Sequence, residues 1–493
     1  MRRGGTLNLV TRQDFDHLDV HQEVSPALST WGPGIVYSRL MRVSSGPNVR
    51  LPSLAVECEL CESWSMEGDR TFVFRLRRGV KWQDLPPVNG RELTADDIVY
   101  SYDRQRQEGW PNASLLAGIE AMEAPDPYTL RISLAAPDAD FLLALADGHS
   151  KIVAREAVEV NGDLKQGPTI GSGPWVLTGT QPGSFYTFER NPDYFETGLP
   201  YLDGLVINVI KDAQTRNAAF GIGLIDVVQM DPLGWEALRQ RRPDAPSLLT
   251  GDASTGLEVA LKTSEPPFDD IRIRRAAFQA MDPWLAIRDI WHDEAFVSLG
   301  LPVAEATWLL SEAELREFFG SPQLARDALN GGSIPIAIKV GDFGEAYLEH
   351  GRRIVDELEA VGFEPTIEVV NRRTFGEQVW LGGDYQMYVG PTAPVTTPNG
   401  YLLPILHSQG RWNSTGLQDP QLDALIEVQA SLYDPQMRAE IARQIQRRAL
   451  ENANRFMPAT QVSRWTWSER VQDFHPNFAA FEYSHWSRVW VRE

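Results

Sequence analysis

Histidine and cysteine are scarce here, at 8 and 2 of 493 residues. Metal and haem centres draw on His and Cys donors. Only His292-Asp-Glu294 has that look, and one His beside acids at a helix end reads as solvated. No metal and no cofactor is therefore expected. Long apolar runs are also missing. Phe141–Ala146 is typical of those present, reads as core, and falls far short of the ~18 residues of a membrane-crossing helix. Basic excess is absent too: 46 Lys and Arg face 67 Asp and Glu, a net charge of -21. A protein that neutralises phosphates carries the opposite balance, so nucleic acid is excluded as a partner. Met1-Arg-Arg-Gly-Gly has no signal-peptide character. No P-loop, H-E-x-x-H or G-x-S-x-G occurs. Gly171-Ser-Gly-Pro174 lacks the Lys and the helix start of a phosphate loop and reads as a turn between strands.

What is present is core material, with 43% hydrophobic residues in a length fit for about three domain-sized units. Gly4–Val10 alternates as a strand, as does Thr71–Arg77, with Phe72, Phe74 and Leu76 on one face. Thr94-Ala-Asp-Asp97 is a capping box with Asp at its last position, opening a helix that buries Ile98, Val99 and Tyr102. Leu205–Ile210 is apolar on both faces and so central to its sheet. Asp212 caps a helix through Phe220, and Asp226-Val-Val opens the next strand, giving a βαβ unit. Asp269 or Asp270 caps a helix toward Asp282, and Asp282-Pro283 opens another. Ile334–Val340, a helical stripe from Tyr347 to Val361 and Phe363–Val370 make a second βαβ unit. The pair Cys58 and Cys61 cannot complete a zinc site alone. Acidic flanks argue against a redox pair, leaving a local disulfide or two inert thiols, and an oxidising compartment favours the disulfide.

The order of blocks is more specific than any block. Phe74–Ser101 reads F-R-L-R-R-G-V-K-W, then L-T-A-D-D-I-V-Y-S. Thr169–Trp175, Phe188–Phe195, Leu199–Asp203 and Gly223–Asp226 follow. Then comes Pro266-Pro-Phe-Asp-Asp-Ile-Arg-Ile-Arg-Arg-Ala, ending at Asp282. In this order the chain resembles the extracytoplasmic solute-binding proteins of ABC importers, family 5, the oligopeptide/dipeptide/nickel group. The resemblance implies an α/β, two-lobe periplasmic-binding-protein-like fold with a ligand cleft between the lobes and an extra subdomain in lobe I. Residues 1–261 with 462–493 would form lobe I, its subdomain inserted at about 47–168, and 262–461 lobe II. The partners implied are a small-molecule solute, peptide or oligosaccharide, and the transmembrane permease subunits. The receptor would be a monomer, periplasmic or tethered at the cell surface. A secreted carbohydrate hydrolase using a carboxylate pair is the alternative, but no spacing singles out a pair.

Peptide binders of the family hold the ligand's ammonium with an aspartate in a stretch that corresponds here to Tyr388–Leu402. The acid's place falls on Pro394, and no Asp or Glu occurs between Asp384 and Asp419. An ammonium buried without a carboxylate is costly, so an acid would have to come from lobe I, from Asp19 or Glu23. With 15 Trp and 13 Tyr, stacking on sugar-like faces becomes attractive. The residues expected at the ligand are Gln22, Glu23, Trp31, Trp291, Trp380, Tyr388, Thr396, Thr397, Asn399, Trp412 and Asn413. Core packing is the competing reading for each aromatic.

Overall fold

The computed structural model describes residues 3–303, 305–392, 395–477 and 486–492, and the side chains of 252–254 are not described. The chain forms two units, Met1–Thr250 with Arg464–Glu493, and Gly251–Ser463. It passes from one to the other inside two long strands, Ser247–Leu261 and Arg455–Trp467.

In the first unit, alternation at Thr6–Thr11 puts Leu7 and Leu9 wholly inside. This strand pairs in parallel with Gly204–Val209, which pairs antiparallel with Phe185–Arg190, followed by Trp175–Gln181. The strand Gly204–Val209 is central, with a neighbour on each side, and Leu205 and Ile207 on one of its faces are buried. The helix Ala213–Gly221 follows, capped by Asp212 through the Thr215 amide, and then the strand Val227–Met230. That strand pairs with Arg464–Trp467, so the carboxy-terminal tail completes the unit. Asp226 fixes the join: it accepts from the Asn8 amide at 2.8 Å and from Arg470 at 2.6 and 2.7 Å.

A second sheet in this unit is wholly antiparallel, in the order Cys61–Glu67, Thr71–Leu76, Thr129–Leu134, Ile119–Asp126. The helix Ala95–Gln105 starts where the Thr94 amide donates to Asp97 at 2.9 Å. Phe141–Ala146 is a short helix with Phe141, Leu145 and Ala146 buried. Cys58 and Cys61 are joined as a disulfide.

The second unit is built on a sheet in which Ile334–Asp342 lies between Phe363–Asn371 and Met387–Pro391, parallel to both. Met387–Pro391 continues antiparallel to Leu257–Leu261. The crossover helix Glu345–Glu359 covers one face, burying Tyr347, Ile354, Val355 and Leu358. Its neighbours are Ile271–Ala280, capped by Asp270, and Pro283–Ile290, capped by Asp282. Together they bury the Ile336, Ile338, Val340, Met387 and Val389 face. The opposite face is covered by Phe375, Val379 and Tyr385, packed on Ala260 and Tyr388. Among the described residues no helix is long and apolar enough to cross a membrane.

Candidate solute-binding surfaces

In the first unit the chain leaves its opening strand at Thr11 and loops to the short helix Pro26–Ser29. This loop carries Gln22, Glu23 and, just beyond, Trp31. Its shape is set from beneath by Arg104, on the buried face of the helix Ala95–Gln105. Arg104 pairs with Asp19 through both guanidinium ends, one bond measuring 2.9 Å, and donates to His21 Nδ1 at 3.0 Å. His21 Nε2 lies 2.9 Å from the Lys151 carbonyl, so the ring is neutral with its proton on Nε2. Burial and the Arg104 charge push its pKa down to about 4. Burial opposes the Asp19 charge, but Arg104 and the Leu164 amide hold its carboxyl down at about 2. Glu23 is equally committed, accepting from the Asp16, Val24 and Ser25 amides at 3.0, 2.9 and 3.0 Å. Gln22 donates to Asp19 at 3.1 Å. The two acids expected to offer a carboxylate to a ligand are thus consumed in shaping the loop. Charge-assisted bonds to several donors are strong, and diverting either acid would leave buried donors unpaired.

Trp31 is half-buried. Its ring stacks on Trp465 at 5.5 Å and meets Trp486 edge-on at 5.7 Å. Both partners are buried, so Trp31 is the outer member of an aromatic cluster.

In the second unit the expected residues divide. Trp291 is a core residue, donating its indole N–H to His350 at 3.0 Å. Burial holds that histidine near 3, neutral and able to accept. Tyr388 is also interior, its hydroxyl donating to Glu258. Burial first, then the Glu258 charge, raise this hydroxyl's pKa well above the usual value. Glu258 in turn pairs with Arg455 at 3.2 Å, both wholly inside. Asn399 is spent on the Ala430 carbonyl, Gln429 and Arg438. Asn413 braces its own loop through the Leu417 carbonyl at 2.9 Å and Thr415. Thr397 caps the turn Pro398–Tyr401 through the Gly400 amide. The rings of Trp291 and Tyr388, expected as stacking faces, are packed in the interior, and the amides of Asn399 and Asn413 are bonded to their own unit.

Trp380, Thr396 and Trp412 retain exposed surface. Trp380 is aimed by a 3.0 Å bond to the Pro391 carbonyl and by Phe375 edge-on at 5.7 Å. Trp412 packs one side on the core, with the Arg411 guanidinium 5.3 Å from its ring. Thr392 was not singled out from sequence, yet its hydroxyl is buried with no partner among the described residues. The place expected of the ammonium-binding acid, Pro394, lies outside the described residues. A cavity of about 310 Å³ on the outer face of Ile334–Asp342 holds Glu265, Lys339, Glu368 and Asp384. Lys339 occupies the middle of this group, 2.7 Å from Asp384 and 4.0 Å from Glu368. Among the described residues no group of three His, Cys, Asp or Glu is placed to hold a metal ion.

Two lobes' worth of α/β structure and aromatic surfaces backed by committed acids suit holding a solute. One comparison decides the family. The model of bacterial extracellular solute-binding proteins, family 5 (middle), matches residues 55–413. The chain belongs to that family. This solute-binding protein is 24% identical to heme-binding protein A of Haemophilus influenzae, over 83% of this chain and 79% of the relative. It is 25% identical to a probable di/tripeptide-binding protein of Pseudomonas aeruginosa, over 99% of this chain and 96% of the relative. The structure of HbpA2 from Haemophilus parasuis superposes with a TM-score of 0.85 at 21% identity, covering 99% of this chain and all of that one. DppA of Helicobacter pylori, solved with the peptide STSA, gives 0.73 at 19%, covering 100% and 99%. The fold is that of the two-lobe periplasmic binding proteins. As a family member the solute-binding protein is the substrate-binding receptor of an ABC transporter and not an enzyme. Its family works outside the cytoplasm.

Proposed function

We propose that this receptor captures a peptide- or oligosaccharide-sized solute that presents no free ammonium group, and delivers it to a membrane permease. One observation carries the reading: the acids near the expected ligand surfaces are already committed. Asp19 answers Arg104, Glu23 answers three amides, Glu258 answers Arg455, and no acid occurs from Tyr385 to Gln418. An ammonium brought to these surfaces would be stripped of water without a carboxylate in return. Neutral hydroxyls and amides fare better, since Thr392, Thr396 and the backbone can bond them while Trp31, Trp380 and Trp412 supply flat apolar faces. Several relatives are named for peptides, and among peptides this reading favours those with a blocked or cyclised amino end.

The test compares matched pairs by thermal shift, because a ligand bound only by the folded state raises the melting temperature by mass action. Free and N-acetylated tripeptides of one sequence are screened beside neutral oligosaccharides. The acetylated peptide or a sugar should bind at least about tenfold tighter than the free peptide, a difference of about 1.4 kcal/mol. A clear preference for the free amine would overturn the reading.

A further inference from the structure

The disulfide has no part in the receptor function derived above, yet its two sulfurs lie in unequal surroundings. Cys61 is wholly buried, with Sγ 3.4 Å from the Leu40 carbonyl and 3.4 Å from the Met41 sulfur. Cys58 is half-buried and lines an open pocket of about 670 Å³. Arg42, Arg77 and Arg488 share that pocket with Glu57 and Glu196. Glu57 pairs with Arg42 at 2.7 Å and lies 3.8 Å from Arg488. Glu196 pairs with the same two arginines. Arg77 has no ion pair among the described residues. Its Nε donates at 2.8 Å to the carbonyl of Glu59, inside the four-residue loop that the disulfide closes. The Glu59 carboxylate is buried and answered by Arg39 at 3.4 Å. The pocket therefore carries three cations against two anions, in a chain whose net charge is -21. Sequence alone suggested the reverse, because Glu57, Glu59 and Glu62 flank the cysteines and the arginines lie far along the chain.

We propose that Cys58–Cys61 is an exchangeable disulfide, and that Cys58 takes up an anionic low-molecular-weight thiol from this pocket. The thiolate RS⁻ attacks Cys58 Sγ, a Cys58–S–S–R bond forms, and the Cys58–Cys61 bond breaks. The electron pair of the broken bond leaves on Cys61 Sγ, which takes a proton from water. No external oxidant is consumed, since the disulfide has only changed partners. Access selects Cys58 as the sulfur attacked. The Leu40 carbonyl is already placed to accept the new Cys61 S–H. The loop does not depend on the disulfide for its shape, because the Glu59 and Leu60 amides bond the Leu40 and Arg39 carbonyls, each at 3.1 Å. The strands Val56–Cys58 and Cys61–Glu67 keep their own partners as well. Attack by Cys61 on the mixed disulfide restores the original state and expels the thiol.

The test treats the folded, full-length chain with 2-mercaptoethanesulfonate or with cysteamine, matched in thiolate concentration. Free thiols are trapped with iodoacetamide and both sites read by peptide mass spectrometry. A single adduct on Cys58, with carbamidomethyl on Cys61, is expected. The anionic thiol should react about tenfold faster at low salt, against the sign of the whole chain, and the advantage should shrink as salt screens it. Arg77→Gln should lose most of the advantage with its melting temperature unchanged, and Arg77→Lys should recover it. An adduct on Cys61, no adduct until urea is added, or a faster cationic thiol would each overturn the proposal.

Discussion

Glu357 shows how one side chain can work against the fold that holds it. It sits on the helix Glu345–Glu359, accepting from the Asp282 amide at 3.2 Å and from Arg353 at 3.0 Å. Burial pushes its carboxyl up to about 7, although Arg353 pulls the other way. The unfolded chain releases this proton near 4.5, the folded chain near 7. Between those values the unfolded state binds fewer protons, so stability is fully present below 4.5 and falls as pH rises through 7. Glu357→Gln fixes the neutral form. It should raise the urea midpoint at pH 8, by about 2 kcal/mol in stability, and leave it unchanged at pH 4. Equal effects at both pH values would show that packing, not charge, governs this site. His21 and His350 act in the opposite range. Both are buried neutral and held low, so their contribution is full above 6.5 and is lost as pH falls toward 4 and 3.

Helix entries are the elements where sequence and structure agree most closely, because a cap is a local event. Thr94, Asp212, Asp270 and Asp282 stand where their helices begin, as read from sequence, and the Asp-Pro pairs at Asp419 and Asp434 open two more in the same way. Asp419 does more than cap. It accepts from the Gln421 and Leu422 amides at the start of Pro420–Ala430, and from Arg448 and Asn452 on Pro435–Asn452, joining two helices. Asp419→Asn keeps an acceptor for the cap and should cost about 1 kcal/mol. Asp419→Ala removes cap and cross-helix bonds together and should cost about 3 kcal/mol by urea denaturation. Strands were less legible. The strand Ser247–Leu261 is legible only in its last residues, from Glu258, because Thr250-Gly-Asp-Ala-Ser-Thr-Gly256 reads as a turn in sequence. Only pairing with distant strands makes it extended. The site suffered from the same distance. Glu258 and Arg455 are 197 residues apart and nothing local marks either as a partner. Arg104 could have been found, since Asp97, Ser101 and Arg104 share the helical face of Ile98 and Tyr102, and polar groups on a buried face need partners.

At the scale of the whole molecule, the two units differ in how they use the chain. Gly251–Ser463 is one continuous segment with a core of its own, running from Leu257 and Phe268 to Phe456 and Ala459. The other unit is split. Val227–Met230 takes its pairing from Arg464–Trp467, Asp226 takes Arg470, and Trp31 takes Trp465 and Trp486. Expressed alone, 251–463 should unfold in urea in one cooperative step, because its apolar faces are covered by its own helices. Residues 1–250 alone should not, since a buried strand edge, a buried carboxylate and an aromatic cluster would all lack partners. Joining 464–493 to residues 1–250 through a flexible linker should restore cooperativity, at only the modest entropic cost of closing the added loop. If 1–250 proves cooperative on its own, the tail is an accessory. If 251–463 is molten, its core depends on residues outside it, and the division of the chain at Thr250 and Ser463 does not mark independent folding units.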